Sequence, residues 1–483
     1  MNNGLIFQAF EWYLSDNGAY YKDMILKLDE LKAIGVTSIW LPPVYKATGT
    51  NDTGYGTYDL WDLGEFEQKG SIRTKYGKKE ELKNLVSEIQ KKDMYVYADI
   101  VLNHKAGADR AEKFLAVKVD ENNRSQEISE AMEIEGWTGF DFPGRNNKYS
   151  DFKWTYYHFS GVDYDNLSGE KGIYKILGEN KGWALGVSTE NGNFDYLMFA
   201  DIDLAHPDVK EELKKWAIWF IDELNLDGFR FDALKHMDDV FVDELVSHIK
   251  TEKGEDFYLL GEYWDNKVED NFLNKTNYKL DLFDVPLHFN LYRASRMGSD
   301  YDLRKIFDNT LVKEHPLLAV TFVDNHDSQP GESLESFIED WFKEIAYALI
   351  LLRKDGYPCV FYGDYYGTSG KYSKAGIKEK IDKLAKIRKR FAYGNQDDYF
   401  DDNNCIGWVR HGNKEYKEKC AVLVSNGDIN NIRMFVGKSE SGKIYADYTG
   451  NNEGKVKIDD EGFGRFMVGA ASISAWIEDG IKL

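Results

Sequence analysis

Short apolar runs alternate with amphipathic stretches through most of the chain. Eight of these runs are rich in β-branched or aromatic residues and predict strands, at Ile6–Phe10, Ser38–Leu41, Tyr95–Val101, Gly228–Asp232, Tyr258–Glu262, Leu282–Val285, Ala319–Val323 and Val360–Tyr362. Between several of them apolar residues recur at helical spacing, most clearly over Glu80–Lys92 and, behind Pro207, over Asp208–Leu224. This alternation predicts an α/β fold, a (β/α)8 TIM barrel whose active site lies at the carboxyl ends of the strands.

Two regions depart from the alternation. From Lys105 to about His206 the chain is rich in Gly, Asn, Asp and Tyr, and it is too long for a loop, so we expect a β-rich domain inserted after the third strand. After Tyr399 the helical periodicity stops, and short strands are predicted at Cys405–Arg410, Cys420–Val424, Ile432–Val436, Lys455–Ile458 and Phe466–Val468. The predicted domains are the barrel at 1–104 and 207–398, the inserted domain at 105–206 and a C-terminal antiparallel Greek-key β-sandwich at 399–483.

The composition is ordinary for a globular protein, with 42% hydrophobic and 30% charged residues. A formal net charge of −22 would repel phosphate backbones, so nucleic acid is excluded as a partner. No run in the sequence is long and apolar enough to span a bilayer, and we therefore expect no membrane partner.

The cysteines and the start of the chain bear on the cellular compartment. Cys359, Cys405 and Cys420 have neither the spacing of metal ligands nor the number of a disulfide scaffold. The first residues lack the basic start, the apolar stretch and the cleavage site of a secretory leader. We expect a cytoplasmic protein, with a secreted protein whose leader is absent from this sequence as the alternative. We also expect a monomer.

Polar clusters stand where four of the predicted strands end. They are Asp99–His104 after the third strand, Gly228–His236 across the fourth, Leu260–Trp264 at the fifth and Phe322–Asp327 at the seventh. In a barrel these strand ends meet at one mouth. Burying so much charge is costly unless it serves a site, so we expect a functional site there.

Asp232 and Glu262 are suited to be the paired carboxyls of a glycosidase. Adjacent strands can place them about 5–5.5 Å apart, the spacing of a retaining mechanism with a covalent intermediate. Arg230 leaves the same face of its strand as Asp232 and would hold Asp232 ionised as the nucleophile. Glu262, between apolar walls and near other carboxylates, would have a raised pKa and act as acid and then as base.

Asp327 and two histidines complete the cluster. Asp327 adds a negative charge for an oxocarbenium-like transition state, and His104 and His326 are donors suited to sugar hydroxyls. Each residue alone has a simpler interpretation. An aspartate at a strand end is often a cap, Arg230 with Asp232 could be a buried ion pair, and a single histidine is often part of the core. Four clusters in barrel order favour catalysis.

The chain resembles the liquefying bacterial α-amylases of the α-amylase family of glycoside hydrolases (family 13). The resemblance runs nearly end to end and rests on the four clusters together with Phe10–Tyr13, Gly54–Gly56, Tyr58–Leu60, Arg73–Gly77, Asn193–Ala200 and Thr321–Asp327. It implies endo-acting hydrolysis of internal α-1,4-glucosidic bonds in starch, glycogen and malto-oligosaccharides. Such hydrolysis retains the anomeric configuration and passes through a covalent glycosyl-aspartate, and an α-glucan is then the expected partner.

The resemblance also implies roles for single residues. Asp232 is the nucleophile, Glu262 the acid/base and Asp327 the transition-state stabiliser. The residues that surround the cleaved glucose are Tyr58, His104, Arg230 and His326. Tyr58 stacks on the sugar ring. The residues that contact the leaving-group side are Lys235, His236 and Trp264. For Trp264 the alternative is a rim aromatic without sugar contact.

In the same family a calcium ion pins the inserted domain to the barrel. The corresponding ligands are Asn103, Asp195, Asp201 and the main-chain carbonyl of His236. Close relatives hold a second calcium and a sodium through further aspartates, where this chain has Ser160, Ala184 and Ala205 and keeps only Asp203. We expect one Ca²⁺ site, weakened or taken by Na⁺ because Ala184 replaces a ligand, and loss of the second site. The alternative is a set of polar residues hydrogen-bonded between two domains.

Three other functions use the same features. A transglycosylase, a branching enzyme or an α-1,6-glucosidase would keep the three carboxyls. A non-catalytic carbohydrate-binding barrel would usually have lost one of them. A metal-dependent hydrolase built on Asp99, Asn103 and His104 is disfavoured because it lacks a cluster of histidine ligands.

Overall fold

Eight parallel strands close into a barrel. The computed structural model describes residues 3–483, and the barrel strands in chain order are Ile6–Gln8, Ser38–Leu41, Tyr95–Ile100, Gly228–Phe231, Tyr258–Gly261, Asp281–Phe283, Ala319–Phe322 and Tyr357–Phe361. Each strand pairs in parallel with its two neighbours, and the eighth pairs with the first. The predicted TIM barrel is confirmed.

The sixth and eighth strands differ from their predicted limits. The sixth ends at Phe283 because a helix begins at Val285, capped by the Asp284 carboxylate, which accepts a hydrogen bond from the Leu287 amide. The eighth begins at Tyr357 and includes Pro358, a residue that the sequence pattern excludes because proline cannot donate a ladder hydrogen bond.

Ten α-helices are present among residues 3–483, besides short 3-10 turns. Their bounds are Tyr20–Ile34, Lys79–Gln90, Pro207–Leu224, Asp239–Lys253, Asp270–Lys275, Val285–Met297, Leu311–Glu314, Asp340–Leu351, Tyr362–Tyr366 and Lys378–Phe391. The helix behind the third-strand insertion has Pro207 at its first position and is capped at its carboxyl end by Asn225, which adopts a left-handed φ of 56°. Over the described chain, no helix combines the length and apolar character needed to cross a membrane.

Between the third and fourth barrel strands the chain forms a six-stranded antiparallel sheet. Its strands, in spatial order, are His104–Lys105, Ala200–Ile202, Phe159–Asp165, Glu170–Ile176, Arg110–Val119 and Met132–Gly139. The edge strand His104–Lys105 directly follows the third barrel strand and pairs with Ala200–Ile202. The pairing brings both ends of the insertion to the barrel mouth.

The C-terminal part of the chain is antiparallel β structure. One sheet has the strand order Gln396–Tyr399, Cys405–Arg410, Cys420–Ser425, Ser472–Glu478, Ile444–Asp447 and Lys455–Lys457, and a second consists of Asn430–Phe435 and Phe463–Val468. Met434 and Phe466 of the second sheet share a buried cluster with Trp476 and Tyr445 of the first. Two packed sheets agree with the predicted β-rich C-terminal part.

Candidate active site

A cavity of about 340 Å³ opens at the carboxyl ends of the barrel strands. The three predicted catalytic carboxyls line it together: Asp232, Glu262 and Asp327. Aromatic side chains that share its wall are Trp12, Tyr55, Phe194 and Trp264. A mixed wall of carboxyls and rings can bind a ligand that has both hydroxyl groups and apolar C–H faces.

Strand register places the carboxyls. The fourth strand pairs with the third so that Arg230 lies opposite Asp99, and with the fifth so that Phe231 lies opposite Gly261. Asp232 and Glu262 are the next residues on these two strands, so they emerge side by side at the mouth. The Asp232 amide donates to the Ile100 carbonyl at 3.0 Å, and the Glu262 amide donates to the Phe231 carbonyl at 2.9 Å.

Arg230 is fully buried and contacts three carboxylates. Its Nη1 lies 2.9 Å from Asp99 Oδ1 and 2.7 Å from Asp232 Oδ1, and its Nη2 lies 3.6 Å from Glu262 Oε2. Asp99 also accepts hydrogen bonds from Trp40 Nε1 at 3.2 Å and from the Tyr55 hydroxyl at 2.9 Å. Asp99 therefore fixes the guanidinium, and the guanidinium in turn orders the two carboxyls at the mouth.

The surroundings of Glu262 favour its protonated form. One oxygen, Oε2, accepts a hydrogen bond from the Ala233 amide at 2.9 Å. Burial raises the pKa of Glu262, and the nearby charge of Asp232 raises it further, although Arg230 opposes both effects. Burial also raises the pKa of Asp327, with the charges of Glu262 and Asp232 adding to it. The site thus contains carboxyls whose protonated form is favoured, and such a carboxyl can act as a general acid.

The two histidines have opposite hydrogen-bonding roles, which corrects the prediction that both are donors. His104 Nε2 lies 2.9 Å from the Tyr55 carbonyl, so it carries the hydrogen, and burial lowers the pKa of His104 and leaves Nδ1 as an acceptor. His326 Nδ1 accepts from Gln8 Nε2 at 3.0 Å, so its Nε2 carries the hydrogen, 3.2 Å from Asp327 Oδ2. His104 lines the cavity, and His326, which is fully buried, lies next to the cavity-lining carboxyl of Asp327.

Tyr58 lies outside the cavity, and its predicted stacking role is wrong. Its ring is 1% exposed, its hydroxyl donates to both carboxylate oxygens of Asp109 at 2.8 Å, and Lys69 Nζ lies 4.0 Å from the ring centroid. Both the polar end and one face of the ring are therefore occupied. Tyr55 lines the cavity instead and stacks on His326 with 5.1 Å between ring centroids.

A signal for Tyr55 was present in the sequence. Tyr55 stands between Gly54 and Gly56, and Gly54 adopts a φ of 107°, where a Cβ would lie 2.7 Å from the carbonyl oxygen of Pro43. The backbone can make this close approach only with glycine at position 54. The turn that results aims Tyr55 at the mouth.

The other predicted sugar-binding residues, Lys235, His236 and Trp264, all line the cavity. Sequence reasoning missed two residues of the insertion that face them. Glu190 Oε2 accepts from Lys235 Nζ at 2.5 Å, and the Phe194 carbonyl lies 2.7 Å from His236 Nδ1. The loop that carries Glu190 and Phe194 forms this side of the cavity, and its contact with the barrel loop depends on tertiary structure rather than on a local motif.

The predicted calcium ligands Asn103, Asp195 and Asp201 are buried near one another. Asn103 Nδ2 lies 3.3 Å from Asp201 Oδ1, and Asp195 Oδ2 accepts from the Ala184 amide at 2.8 Å. Burial raises the pKa of Asp195 to about 7, and burial together with the charge of Asp195 raises the pKa of Asp201. Two buried carboxylates that repel each other fit a site for a cation with oxygen ligands.

A second group of possible metal ligands consists of His158, His206 and Asp208, whose ligand atoms lie within 4.8 Å of one another. His158 Nδ1 accepts from the Thr155 amide at 3.0 Å, and His206 Nδ1 accepts from the Asp208 amide at 3.2 Å. In a neutral ring, an accepting Nδ1 leaves the hydrogen on Nε2. Neither ring therefore offers a free nitrogen, and this group does not fit a metal ion.

Comparisons with known proteins agree with this geometry. The profile of the α-amylase catalytic domain matches residues 15–449. The glucan 1,4-alpha-maltohexaosidase of Bacillus sp. (strain 707) is 48% identical over 98% of this chain and 92% of its own length. The alpha-amylase of Bacillus licheniformis is 47% identical over 99% of this chain and 94% of its own length, and the cytoplasmic alpha-amylase of Escherichia coli (strain K12) is 40% identical over 99% of both.

Solved structures show the same fold. An Anoxybacillus alpha-amylase aligns with a TM-score of 0.65 at 19% identity, covering 100% of this chain and 99% of that one. Identity as low as this supports the fold alone, whereas the profile match and the full-length relatives identify the family. The chain belongs to the α-amylase family of glycoside hydrolases.

Proposed function

We propose that the protein is an endo-acting, retaining α-amylase that hydrolyses internal α-1,4 bonds of starch, glycogen and malto-oligosaccharides. The observation that carries the proposal is the placement of Asp232 and Glu262 around one buried guanidinium, 2.7 and 3.6 Å away, at a cavity that Asp327 also lines. The names of the full-length relatives, two alpha-amylases and a maltohexaosidase, support the same substrate class.

In the first step Asp232 attacks the anomeric carbon. Arg230 Nη1 donates to Oδ1, which orients the carboxylate and leaves Oδ2 as the nucleophilic oxygen. The bond from C1 to the glycosidic oxygen breaks as the bond from Asp232 to C1 forms. Glu262 transfers its proton to the departing oxygen, so the leaving glucan ends in a neutral hydroxyl.

In the second step the carboxylate of Glu262 removes a proton from water. The water oxygen attacks C1, the bond to Asp232 breaks, and the product keeps the α configuration because the anomeric carbon has been inverted twice. Positive charge develops on the sugar ring in both steps. The positive charge on the ring favours the ionised form of Asp327, and the Asp327 carboxylate in turn stabilises that positive charge.

Substrate orientation comes from other groups at the mouth. Tyr55 offers a ring face to the glucose that is cleaved, and His104 Nδ1 accepts from a hydroxyl. His326 Nε2 and the Arg230 guanidinium, which are buried beside the cavity-lining carboxyls, supply hydrogen atoms to the oxygens of that glucose. Lys235, His236 and Trp264 lie on the side of the leaving group, where Glu190 fixes the Lys235 ammonium. Aromatic faces and hydrogen-bonding groups together suit a glucan chain.

We also infer one calcium site. Asn103, Asp195 and Asp201, with the main-chain carbonyl of His236, would hold the ion and provide the oxygen ligands that calcium prefers. The positive charge would relieve the repulsion between two buried carboxylates at the place where the insertion meets the barrel. Ala184 contributes no side-chain oxygen, so the site is weak or takes sodium.

The domain limits, compartment and assembly are further parts of the proposal. We propose a barrel at 1–104 and 207–398, an inserted domain at 105–206 and a Greek-key C-terminal domain at 399–483, with two limits moved by the sheets. His104 already pairs within the sheet of the insertion, and the strand Gln396–Tyr399 belongs to the C-terminal sheet, so that domain begins at Gln396. Three buried, unpaired cysteines and the cytoplasmic alpha-amylase among the relatives support a cytoplasmic enzyme. We infer that it acts as a monomer.

The direct test is hydrolysis of soluble starch by the wild type, by Asp232→Asn and by Glu262→Gln. We expect the wild type to release α-configured oligosaccharides from internal cleavage. Each variant should lose roughly a thousandfold or more in kcat, because each change removes a reacting group. Formation of branched or transferred products in place of hydrolysis would favour a transglycosylase, and a wild type without turnover would favour a binding protein.

A further inference from the structure

Lys181 of the insertion is a buried lysine whose ammonium group is surrounded by oxygen atoms. Its Nζ lies 2.5 Å from the Tyr157 carbonyl oxygen, 3.1 Å from the Phe159 carbonyl oxygen and 2.7 Å from Asp203 Oδ2. The Lys181 side chain is 5% exposed and that of Asp203 is 10% exposed. All three hydrogen atoms of the ammonium therefore have acceptors within the protein.

These three oxygens are the kind that hard metal ions bind. Two are main-chain carbonyls and one is a carboxylate, which is a usual ligand set for calcium or sodium. An ammonium group is also a compact point charge and can occupy such a position. The two kinds of cation differ in one respect, because the lysine is covalently part of the chain and cannot dissociate.

Lys181 connects three segments at the base of the insertion. It links its own loop to the turn at Tyr157, to the start of the strand Phe159–Asp165 and to Asp203. The Asp203 amide donates to the His158 carbonyl at 2.9 Å, which closes the same junction from the other side. A cation at this point holds together segments that are distant in sequence.

A second metal ion does not fit beside this lysine. The ammonium is in a cavity of about 320 Å³ whose other polar walls include Ser160, Asp195 and Asp238. Ser160 donates its hydroxyl hydrogen to Asp201, and Asp203 is already paired with Lys181. Ala184 and Ala205, also on the wall, have no side-chain oxygen. Asp238 Oδ1 accepts hydrogen bonds from two amides at the start of its helix, and Asp195 Oδ2 accepts from the Ala184 amide and belongs to the proposed calcium site. Most side-chain ligands that a second cation would need are therefore missing or already paired.

We propose that the Lys181 ammonium does the structural work of a second cation, so that this junction is held without a second metal ion. The inference concerns only the place that the Lys181 ammonium occupies, and it does not depend on the calcium proposed at Asn103, Asp195 and Asp201. It predicts that a chelator does not weaken the contacts that Lys181 makes at this junction. It also predicts that the junction weakens when the lysine charge is removed.

Thermal unfolding of Lys181→Met in a calcium-containing buffer tests the proposal. The change keeps most of the side-chain volume but removes the charge and leaves Asp203 buried without its partner, so we expect the midpoint to fall by about 5 °C. Lys175→Met is the matched control. Lys175 also belongs to the insertion, where its Nζ lies 2.6 Å from a Glu127 carboxylate oxygen, but this pair is more exposed. Its midpoint should stay within about 1 °C of the wild type. Equal midpoints for Lys181→Met and the wild type would overturn the proposal.

A double variant separates the pair from general packing damage. If the ammonium and the carboxylate act as a unit, Lys181→Met combined with Asp203→Asn should lose less than the sum of the two single losses. Additive losses would contradict a coupled pair.

Should the variants fail to fold, the metal content of the wild type remains decisive: after dialysis against metal-free buffer we expect at most one calcium per chain, and two would overturn the proposal. A count of zero agrees with a first site that is weak or holds sodium, and it supports the absence of a second metal ion.

Discussion

The barrel mouth and the base of the insertion each place oxygen acceptors around one buried cationic side chain. At the base of the insertion, every hydrogen of the Lys181 ammonium has a protein acceptor. At the mouth, Arg230 leaves Nε and Nη2 without a hydrogen-bond partner among residues 3–483, and His104 Nδ1 and His326 Nε2 are likewise unpaired within that range. Buried polar groups are normally satisfied. The contrast indicates that the mouth is a ligand-binding site, whereas the base of the insertion is a structural contact within the protein.

The distribution of unpaired atoms strengthens the contrast. Among residues 3–483, ten buried side-chain nitrogen or oxygen atoms have no partner, and four of them belong to Arg230, His104 and His326. Arg230 and His326 directly contact the three carboxyls, and His104 lines the same cavity. A sugar brings many hydroxyl groups, each of which can donate and accept, so it can satisfy such a set.

The largest expected effect concerns the proton that Glu262 supplies at the mouth. Glu262→Gln should lose roughly a thousandfold or more on starch, whose leaving group needs a proton. On α-maltosyl fluoride the release of fluoride should fall far less, because fluoride leaves without protonation. The pre-steady-state release of fluoride provides the measurement, because it reports the first step alone and is not limited by the later loss of the base. An equally large loss in this first step would show that Glu262 is not the acid.

The pH profile gives the next effect. Burial and the charge of Asp232 raise the pKa of Glu262, so its acid form persists to a higher pH than that of an exposed glutamate. Above that pKa the wild-type kcat/KM on malto-oligosaccharides should fall about tenfold per pH unit, because the ionised form cannot donate. With α-maltosyl fluoride as the substrate, this fall of kcat/KM at alkaline pH should be absent. An identical alkaline limb for both substrates would contradict this assignment.

Two tyrosines three residues apart allow a smaller and more selective comparison. Tyr55→Leu should lower kcat/KM by roughly tenfold or more, because Tyr55 faces the cavity, and should lower the thermal midpoint less than Tyr58→Leu does, through loss of the hydrogen bond to Asp99. Tyr58→Leu should leave kcat/KM within about twofold but lower the midpoint by several degrees, because Tyr58 is buried and bonded to Asp109. Kinetics and calorimetry on both proteins would test this. Reversed signatures would restore the stacking role to Tyr58.

The smallest effect is expected from calcium removal at the Asp195 and Asp201 site. Their pKa values are raised by burial in the folded chain, so without a cation the folded state loses stability as pH rises from about 4 to about 7. Chelation should therefore lower the thermal midpoint by a few degrees more at pH 8 than at pH 5. Scans at both pH values, with and without calcium, measure this. A chelator effect independent of pH would argue against these two carboxylates as ligands.

The barrel was predictable because its strands are buried on both faces and are therefore apolar throughout. Polar residues at the ends of such runs, such as Asp232 and Glu262, could be assigned to the mouth once the fold was inferred. The C-terminal strands Gln396–Tyr399, Ile444–Asp447 and Ser472–Glu478 were missed. Gln396–Tyr399 is polar and lies at a sheet edge, and Ser472–Glu478 mixes small and large residues, so neither has a clear period.

Site residues that depend on distant contacts were beyond sequence reasoning. Glu190 and Phe194 reach the mouth only because the loop of the insertion folds over Lys235 and His236. The hydrogen-bonding role of His104 depends on the Tyr55 carbonyl, 49 positions away in the chain. The pattern of neighbouring residues in the sequence does not indicate such pairings. Strand ends and glycine turns depend on neighbouring residues and can therefore be recognised.

Trapping of the covalent intermediate tests the role of Asp232 most directly. A 5-fluoro-α-maltosyl fluoride slows formation and breakdown of the glycosyl-enzyme by destabilising positive charge on the ring, while its fluoride leaving group still allows the first step. Incubation with the wild type or with Glu262→Gln, followed by intact mass measurement and peptide mapping, should show one sugar adduct on the peptide that contains Asp232. Release of fluoride without an adduct, or an adduct on another carboxyl, would contradict Asp232 as the nucleophile.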